Sequence, residues 1–82
     1  MIKRIYSLYD KLAKNYSDPF VAVNDDVVFR QLRFDKTLAV VPEDFDLYCL
    51  GEFDSDTGEV VRELGLVAHV ASLLRKKEEK DE

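Results

Sequence analysis

The strongest constraint on the fold is a strict alternation in the middle of the chain. From Asp44 onward, every second residue is apolar or small, the period of a strand with one buried face. The next segment, Asp54–Gly58, is rich in turn-forming residues, and Glu59–Arg62 again resembles a strand. These segments predict an antiparallel hairpin. The residues expected to share its first face are Phe45, Leu47, Cys49, Gly51 and Phe53.

Two further elements precede the hairpin. Ile2–Tyr9 alternates loosely and has the β-branched and aromatic residues that favour a strand. Asn24 is a good helix N-cap with two acidic residues after it, and Val28 and Leu32 follow at helical spacing. These residues predict a helix over about 25–34. Residues 35–41 leave helix and strand open, and Pro42 ends whichever of them forms.

The residues after the hairpin predict a final amphipathic helix. Its apolar stripe consists of Leu66, Val67, Val70, Leu73 and Leu74. The expected fold class is therefore α+β, a single domain over residues 1–77 in the order β-α-β-β-α. The N-terminal strand joins the hairpin sheet and the helices pack on one face, while residues 78–82 form a frayed charged tail. The last helix either covers the sheet or pairs with its copy in a homo-oligomer.

Charge limits the partners that the chain suits. The net charge is −5, so the protein repels phosphate as a whole. Residues 1–36 have a balance of +2 and residues 37–82 a balance of −7, so a nucleic-acid contact requires a local basic face in the N-terminal half. No stretch approaches the about 20 apolar residues of a membrane span. A single cysteine, Cys49, cannot form an internal disulfide and favours a reducing compartment.

The acidic turn fits a calcium loop poorly. With Asp54 as the first position of an EF-hand, Gly58 comes one place early, and Gly65 stands where a bidentate glutamate is required. Cys49 and His69 are the only residues of their types, and no motif frames them as a nucleophile and base. The sequence therefore predicts no catalytic residue, no metal ligand and no cofactor, and we expect a nonenzymatic protein.

The N-terminal half offers a surface for single-stranded nucleic acid. Aromatic residues alternate there with basic ones, and single-strand binders combine aromatic stacking with a basic track for the backbone. Half-buried packing is the competing interpretation of the tyrosines. The predicted nucleic-acid-binding residues are Lys3, Arg4, Tyr6, Tyr9, Lys11, Lys14, Arg30 and Arg33. An alternative function is a protein–protein module that engages a viral or host replication factor through the acidic hairpin or the C-terminal helix.

The segment PEDFDLYCLGEFDSDTGEV, from Pro42 to Val60, resembles the small nonstructural protein of gokushoviruses. The resemblance rests on Pro-Glu-Asp-Phe, Leu-Tyr, Leu-Gly-Glu-Phe-Asp and Thr-Gly. The opening segment from Ile5 to Asp25 is similar too, and Arg30 and Phe34 match a helix arginine and a following aromatic residue. The resemblance covers about residues 1–61, although the link before Pro42 is shorter than is typical.

Gokushoviruses are single-stranded DNA phages of the Microviridae, and members of this family are labelled DNA-binding. The resemblance implies a nonstructural accessory protein in viral single-stranded DNA replication or packaging. It also implies the cytoplasm of the infected bacterial host as the location. The family supplies no catalytic residue to carry over, and the matched positions are of structural types.

Overall fold

Long antiparallel strands organise the fold. The computed structural model describes residues 1–74. The chain begins with β1 (Ile2–Asp10), whose outer edge pairs with two short strands, β2 (Asn15–Tyr16) and β3 (Phe20–Ala22). The inner edge of β1 pairs with β4 (Phe45–Asp54), and β4 pairs with β5 (Val60–His69). The sheet order is β2-β1-β4-β5, with β3 beside β1, and every pairing is antiparallel.

The first helix lies where its cap predicts it. In α1 (Asp25–Arg33), the side-chain Oδ1 of Asn24 accepts a hydrogen bond from the backbone N–H of Val27 at 3.0 Å. This bond satisfies one of the free amides that begin every helix. Val28 and Leu32 are buried, which confirms the predicted apolar stripe.

The ambiguous segment before Pro42 is a helix. In α2 (Lys36–Val40), the Oδ1 of Asp35 caps the backbone N–H of Leu38 at 3.1 Å. The same segment buries Leu38 within the hydrophobic core cluster. Pro42 then begins a single 3-10 turn, Pro42–Asp44, that leads into β4.

The acidic segment between β4 and β5 is a hairpin turn, as predicted. The side-chain Oδ1 of Asp54 accepts a hydrogen bond from the backbone N–H of Asp56 at 2.9 Å. The backbone carbonyl of Asp54 accepts one from the backbone N–H of Gly58 at 2.7 Å. Gly58 has a φ of +79°, which glycine adopts without strain. The N-terminal ammonium of Met1 lies 2.6 Å from the Oδ2 of Asp56 and ties the chain start to this turn.

A bulge in β4 changes which residues share a face. Ile5 pairs with Gly51 and Tyr6 with Cys49, so Leu50 is the extra residue. Gly51 has a φ of +154°, and a Cβ there would lie 2.1 Å from the carbonyl oxygen of Val61. Only glycine, which has no Cβ, allows the backbones of β4 and β5 to lie this close together.

The predicted face of the hairpin is therefore wrong at two positions, Gly51 and Phe53. Gly51 pairs with Ile5, the neighbour of Tyr6 on β1, so its position faces away from the core. Phe53 pairs with Lys3, three residues along β1 from Tyr6, so it lies on the side opposite Cys49. The inserted Leu50 shifts the alternation by one, and strict period two does not anticipate such an insertion.

The predicted start of the last helix is also wrong. Residues 64–69 continue β5, and helix α3 begins at residue 70 and is described to residue 74. A register shift in β5 places Val67 and Ala68, which are consecutive, both against the core. Leu66, predicted as part of the helical stripe, instead pairs with Tyr48 on the side away from the core and is 49% exposed. The predicted domain end at residue 77 and the predicted tail, residues 78–82, lie outside the described residues.

One core joins the sheet to all three helices. Tyr6, Leu47 and Val70 are fully buried at its centre. The other buried members are Ala22, Val28, Leu32, Leu38, Cys49 and Leu73. Because the sheet residues of this cluster lie on one side, the helices cover one face of the sheet. The α+β class and the β-α-β-β-α order are confirmed, with β2, β3 and α2 as additional short elements.

Candidate nucleic-acid interface

The side of the sheet away from the core is covered by no helix of residues 1–74, and we call it the open face. Register assigns its members, because residues that pair directly point to the same side. On β1 it comprises Lys3, Ile5, Ser7 and Tyr9. On β4 and β5 it comprises Asp46, Tyr48, Gly51, Phe53, Val60, Arg62, Leu66 and His69.

Three tyrosines form a cluster on the open face. Tyr9 pairs directly with Tyr16 across β1 and β2, and their ring centroids lie 4.8 Å apart. The ring of Tyr48 lies 5.5 Å from that of Tyr16 and 6.2 Å from that of Tyr9, with edge-to-face geometry in both pairs. These separations are those of favourable aromatic pairs. Tyr16 is 44% exposed, so the cluster presents aromatic surface to solvent.

A polar group lies beside this tyrosine cluster. The carboxylate of Asp46 is largely buried, and its Oδ1 lies 2.8 Å from the Nδ1 of His69 and 3.6 Å from the Nζ of Lys11. Asp46 pairs directly with Tyr9, so this group and the tyrosines share the open face. The negative charge of Asp46 is thus balanced locally by Lys11.

Lys14 lies near the same end of the sheet. It ends the turn between β1 and β2, where its backbone N–H donates to the carbonyl of Asp10 at 2.7 Å. Its φ is +62°, an uncommon conformation for a residue with a side chain. The side chain of Asp10 supports this turn by accepting from the backbone N–H groups of Leu12 and Ala13.

Two of the predicted binding residues lie on the helix side instead. The Tyr6 ring is fully buried and packs against Phe20, and its hydroxyl donates to the Oδ1 of Asp25 at 2.6 Å. Burial, followed by the Asp25 hydrogen bond, raises the pKa of the Tyr6 hydroxyl above its ordinary value. The Nε of Arg4 lies 3.5 Å from the same Asp25 oxygen, and its guanidinium stands over the Tyr6 ring. A buried ring cannot stack on a base, so Tyr6 is a structural residue.

Arg30 and Arg33 are exposed in the last turn of α1. Because α1 packs on the core side, these arginines stand away from the open face. The structure therefore brings Lys3, Tyr9, Lys11 and Lys14 to the open face or its end, and it separates them from Arg4, Tyr6, Arg30 and Arg33.

Tyr16 and Tyr48 are absent from the predicted binding set, yet they complete the aromatic cluster. Tyr48 lies at an alternation position opposite the core face, and this signal in the sequence is sufficient to place it on the open side. Tyr16 gives no comparable signal, because its place depends on the pairing of the two-residue β2.

A groove of about 430 Å³ lies on the helix side, between the start of α1 and β5. Asp25, Glu52 and Glu63 line it, and Arg4 is its one cationic residue. Three carboxylates around one guanidinium do not suit a phosphate backbone. Among residues 1–74, no group of three or more His, Cys, Asp or Glu side chains is arranged to hold a metal ion.

The sequence profile of the phage ORF5 protein family matches residues 3–74. The chain belongs to this phage family. The match includes β5 and the described part of α3, so the segment after residue 61 is also part of the family pattern. Comparison with curated proteins and with solved structures gives no match. No helix within the described part of this phage protein is long and apolar enough to cross a membrane.

Proposed function

We propose that this phage protein is a nonenzymatic accessory factor that binds single-stranded DNA on the open face of its sheet. The observation that carries the proposal is the cluster of Tyr9, Tyr16 and Tyr48. Bases stack on aromatic side chains, and stacking of this kind does not depend strongly on sequence. A duplex hides its base faces, so a stacking surface selects single strands.

The cations near the cluster supply the contacts to phosphate. Lys3 and Tyr9 are six residues apart on the same side of β1, or about 20 Å at the rise of a strand. Lys11 reaches the open face at Asp46, and Lys14 ends the turn before β2. A strand of a few nucleotides that runs along β1 therefore meets a lysine at each end of its path. Lys11 is balanced by Asp46, so Lys3 and Lys14 are the lysines that locally offset the net charge of −5.

The resemblance of Pro42–Val60 to gokushovirus nonstructural proteins supports a role with single-stranded viral DNA. We place the protein in the cytoplasm of the infected bacterial host, where it acts in single-strand synthesis or in packaging. Gly51 is part of the resembling segment, and its place in the bulge explains why the segment contains a glycine.

A protein–protein module is the second candidate. The acidic turn of residues 55–59 is exposed at the tip of the hairpin, where a basic partner can reach Asp56 and Glu59. The alternative use of the last helix has less support, because Val70 and Leu73 are buried in the core.

The test is fluorescence anisotropy of a labelled oligothymidylate titrated with the protein, at low salt and at near-physiological salt. We expect saturable binding that weakens as salt rises, and weaker binding to a duplex of the same length. Flat traces at both salts contradict the proposal and favour the acidic turn as a docking site for a protein partner.

A further inference from the structure

The two edges of the sheet are built differently. On one edge, β1 is covered by strands of two and three residues. On the other, β5 runs for ten residues, and no described element pairs with its outer side. Proteins commonly protect a sheet edge with short strands or charged residues, because a long open edge pairs with another strand. The β1 edge follows this rule, whereas β5 has two charged residues, Arg62 and Glu63, but no strand on its outer side among the described residues.

The surface of β5 is apolar as well as open. Val60, Val61, Leu64 and Leu66 are 60%, 55%, 48% and 49% exposed. The strand contains one basic residue, Arg62, and one acidic residue, Glu63, so it is locally neutral in a chain of net charge −5. A second copy of this acidic chain meets the least repulsion at this edge.

We propose that β5 pairs with the β5 strand of a second copy to form an antiparallel, two-fold symmetric dimer. A two-fold contact uses the same edge on both copies, and an antiparallel strand pair satisfies this requirement. The pairing supplies partners for the open backbone groups of both edges. It also covers apolar side chains that the small core leaves in solvent.

Side-chain chemistry disfavours two registers and suits the one centred on Leu64. The two-fold axis keeps each residue on its own side of the sheet, so opposite residues differ by an even number of positions. An axis at Arg62 or at Glu63 places like charges directly opposite each other, which is unfavourable. An axis at Leu64 places Leu64 opposite its copy and Val61 opposite Val67 of the second copy. It also places Arg62 opposite Leu66 and Glu63 opposite Gly65, so it opposes no like charges.

This symmetry has a consequence for the open face. An axis perpendicular to the sheet keeps both open faces on the same side of one continuous sheet. The dimer therefore presents two tyrosine clusters on one surface. Formation of the dimer does not depend on the proposed DNA binding, so the two claims are tested separately.

Cysteine cross-linking tests the register directly. In the proposed dimer, the two copies of residue 64 are directly opposite, within the Cα separation of about 4.4–6.8 Å that a disulfide spans. The two copies of residue 61 are six positions apart along the strand pair, or about 20 Å. We expect Leu64→Cys to form a covalent dimer with oxidised glutathione, and we expect Val61→Cys and the wild type, with its buried Cys49, to form little. Equal cross-linking of the two variants overturns the proposal.

Sedimentation equilibrium on the full chain provides the second measurement. We expect a reversible dimer of the wild type, and a monomer for Leu64→Lys, which places two like charges opposite each other. Leu12→Lys is the matched control, because Leu12 is 81% exposed in the turn after β1, and it remains a dimer. Circular dichroism shows whether each variant keeps its fold. A wild type that is monomeric at all concentrations, or a folded Leu64→Lys dimer, overturns the proposal.

Discussion

Tyr9 and Tyr16 face each other across two antiparallel strands, with ring centroids 4.8 Å apart on the open face of the sheet. The pairing fixes both rings without burying them in the core. Aromatic groups held in place by a backbone ladder lose little side-chain entropy when a base stacks on them. This arrangement is the physical basis of the proposed interface.

Replacement of an exposed ring tests the stacking contribution. Tyr16→Leu keeps an apolar side chain but removes the π-face, and we expect the Kd for oligothymidylate to rise by about 5-fold to 100-fold. Phe34→Leu is the matched control, since Phe34 is 80% exposed at the end of α1. Anisotropy titrations measure both. An equal effect of the two substitutions contradicts the role of the tyrosine cluster.

Removal of a lysine tests the electrostatic contribution. For Lys3→Ala we expect the slope of log Kd against log salt to fall by about 0.7, the value for one contact with a single strand. Arg33→Ala removes the same charge from the core side and leaves the slope unchanged. If Arg33→Ala reduces the slope and Lys3→Ala does not, the DNA follows α1 instead of the open face.

Gly51 tests the architecture without any ligand. We expect Gly51→Ala to lower the free energy of unfolding by about 2–4 kcal/mol, because the new Cβ lies 2.1 Å from the carbonyl oxygen of Val61 and the φ is positive. Gly65→Ala is the control, since nothing lies within 4 Å of a Cβ there. Urea denaturation measures both variants. Equal stability would show that the strands do not approach closely at the bulge.

Tyr6 predicts how stability depends on alkaline pH. The pKa of its hydroxyl is raised in the folded protein, whereas a tyrosine hydroxyl in an unfolded chain has a pKa of about 10. The stabilisation is therefore fully present below that pH and is lost as the pH rises through the folded pKa. Tyr6→Phe should cost about 1–2 kcal/mol at neutral pH through the lost bond to Asp25, and it should flatten the decline of the unfolding midpoint above pH 10. Tyr16→Phe should leave the decline unchanged, and parallel curves for the wild type and Tyr6→Phe refute this role.

Local signals in the sequence predict most of the elements. The alternation around Leu47, the cap at Asn24 and the turn at Gly58 each act within a few residues, so hairpin and helix follow from them. The bulge at Leu50 is different, because it arises where three strands adjust to one another. The bulge moves Gly51 and Phe53 to the open face, and no local pattern in the sequence predicts that change.

The candidate site is predictable only in part for the same reason. Alternation places Lys3 and Tyr9 together, but the short β2 brings Tyr16 beside them through pairing that the sequence does not show. The basic residues of α1 belong to the same basic and aromatic half of the sequence as these tyrosines. In the fold, however, they lie on the other side of the sheet. Leu66 and Val67 resemble the start of a helical stripe in the sequence, but in β5 they lie on opposite sides of the sheet.

The most direct test of the open-face claim is an amide chemical-shift map during titration of the ¹⁵N-labelled protein with oligothymidylate. The predicted result is a contiguous set of shifts at Lys3, Tyr9, Tyr16 and Tyr48, with α1 from Asp25 to Arg33 unaffected. Shifts that concentrate on α1, or the absence of shifts at saturating oligonucleotide, would contradict binding of single-stranded DNA on the open face.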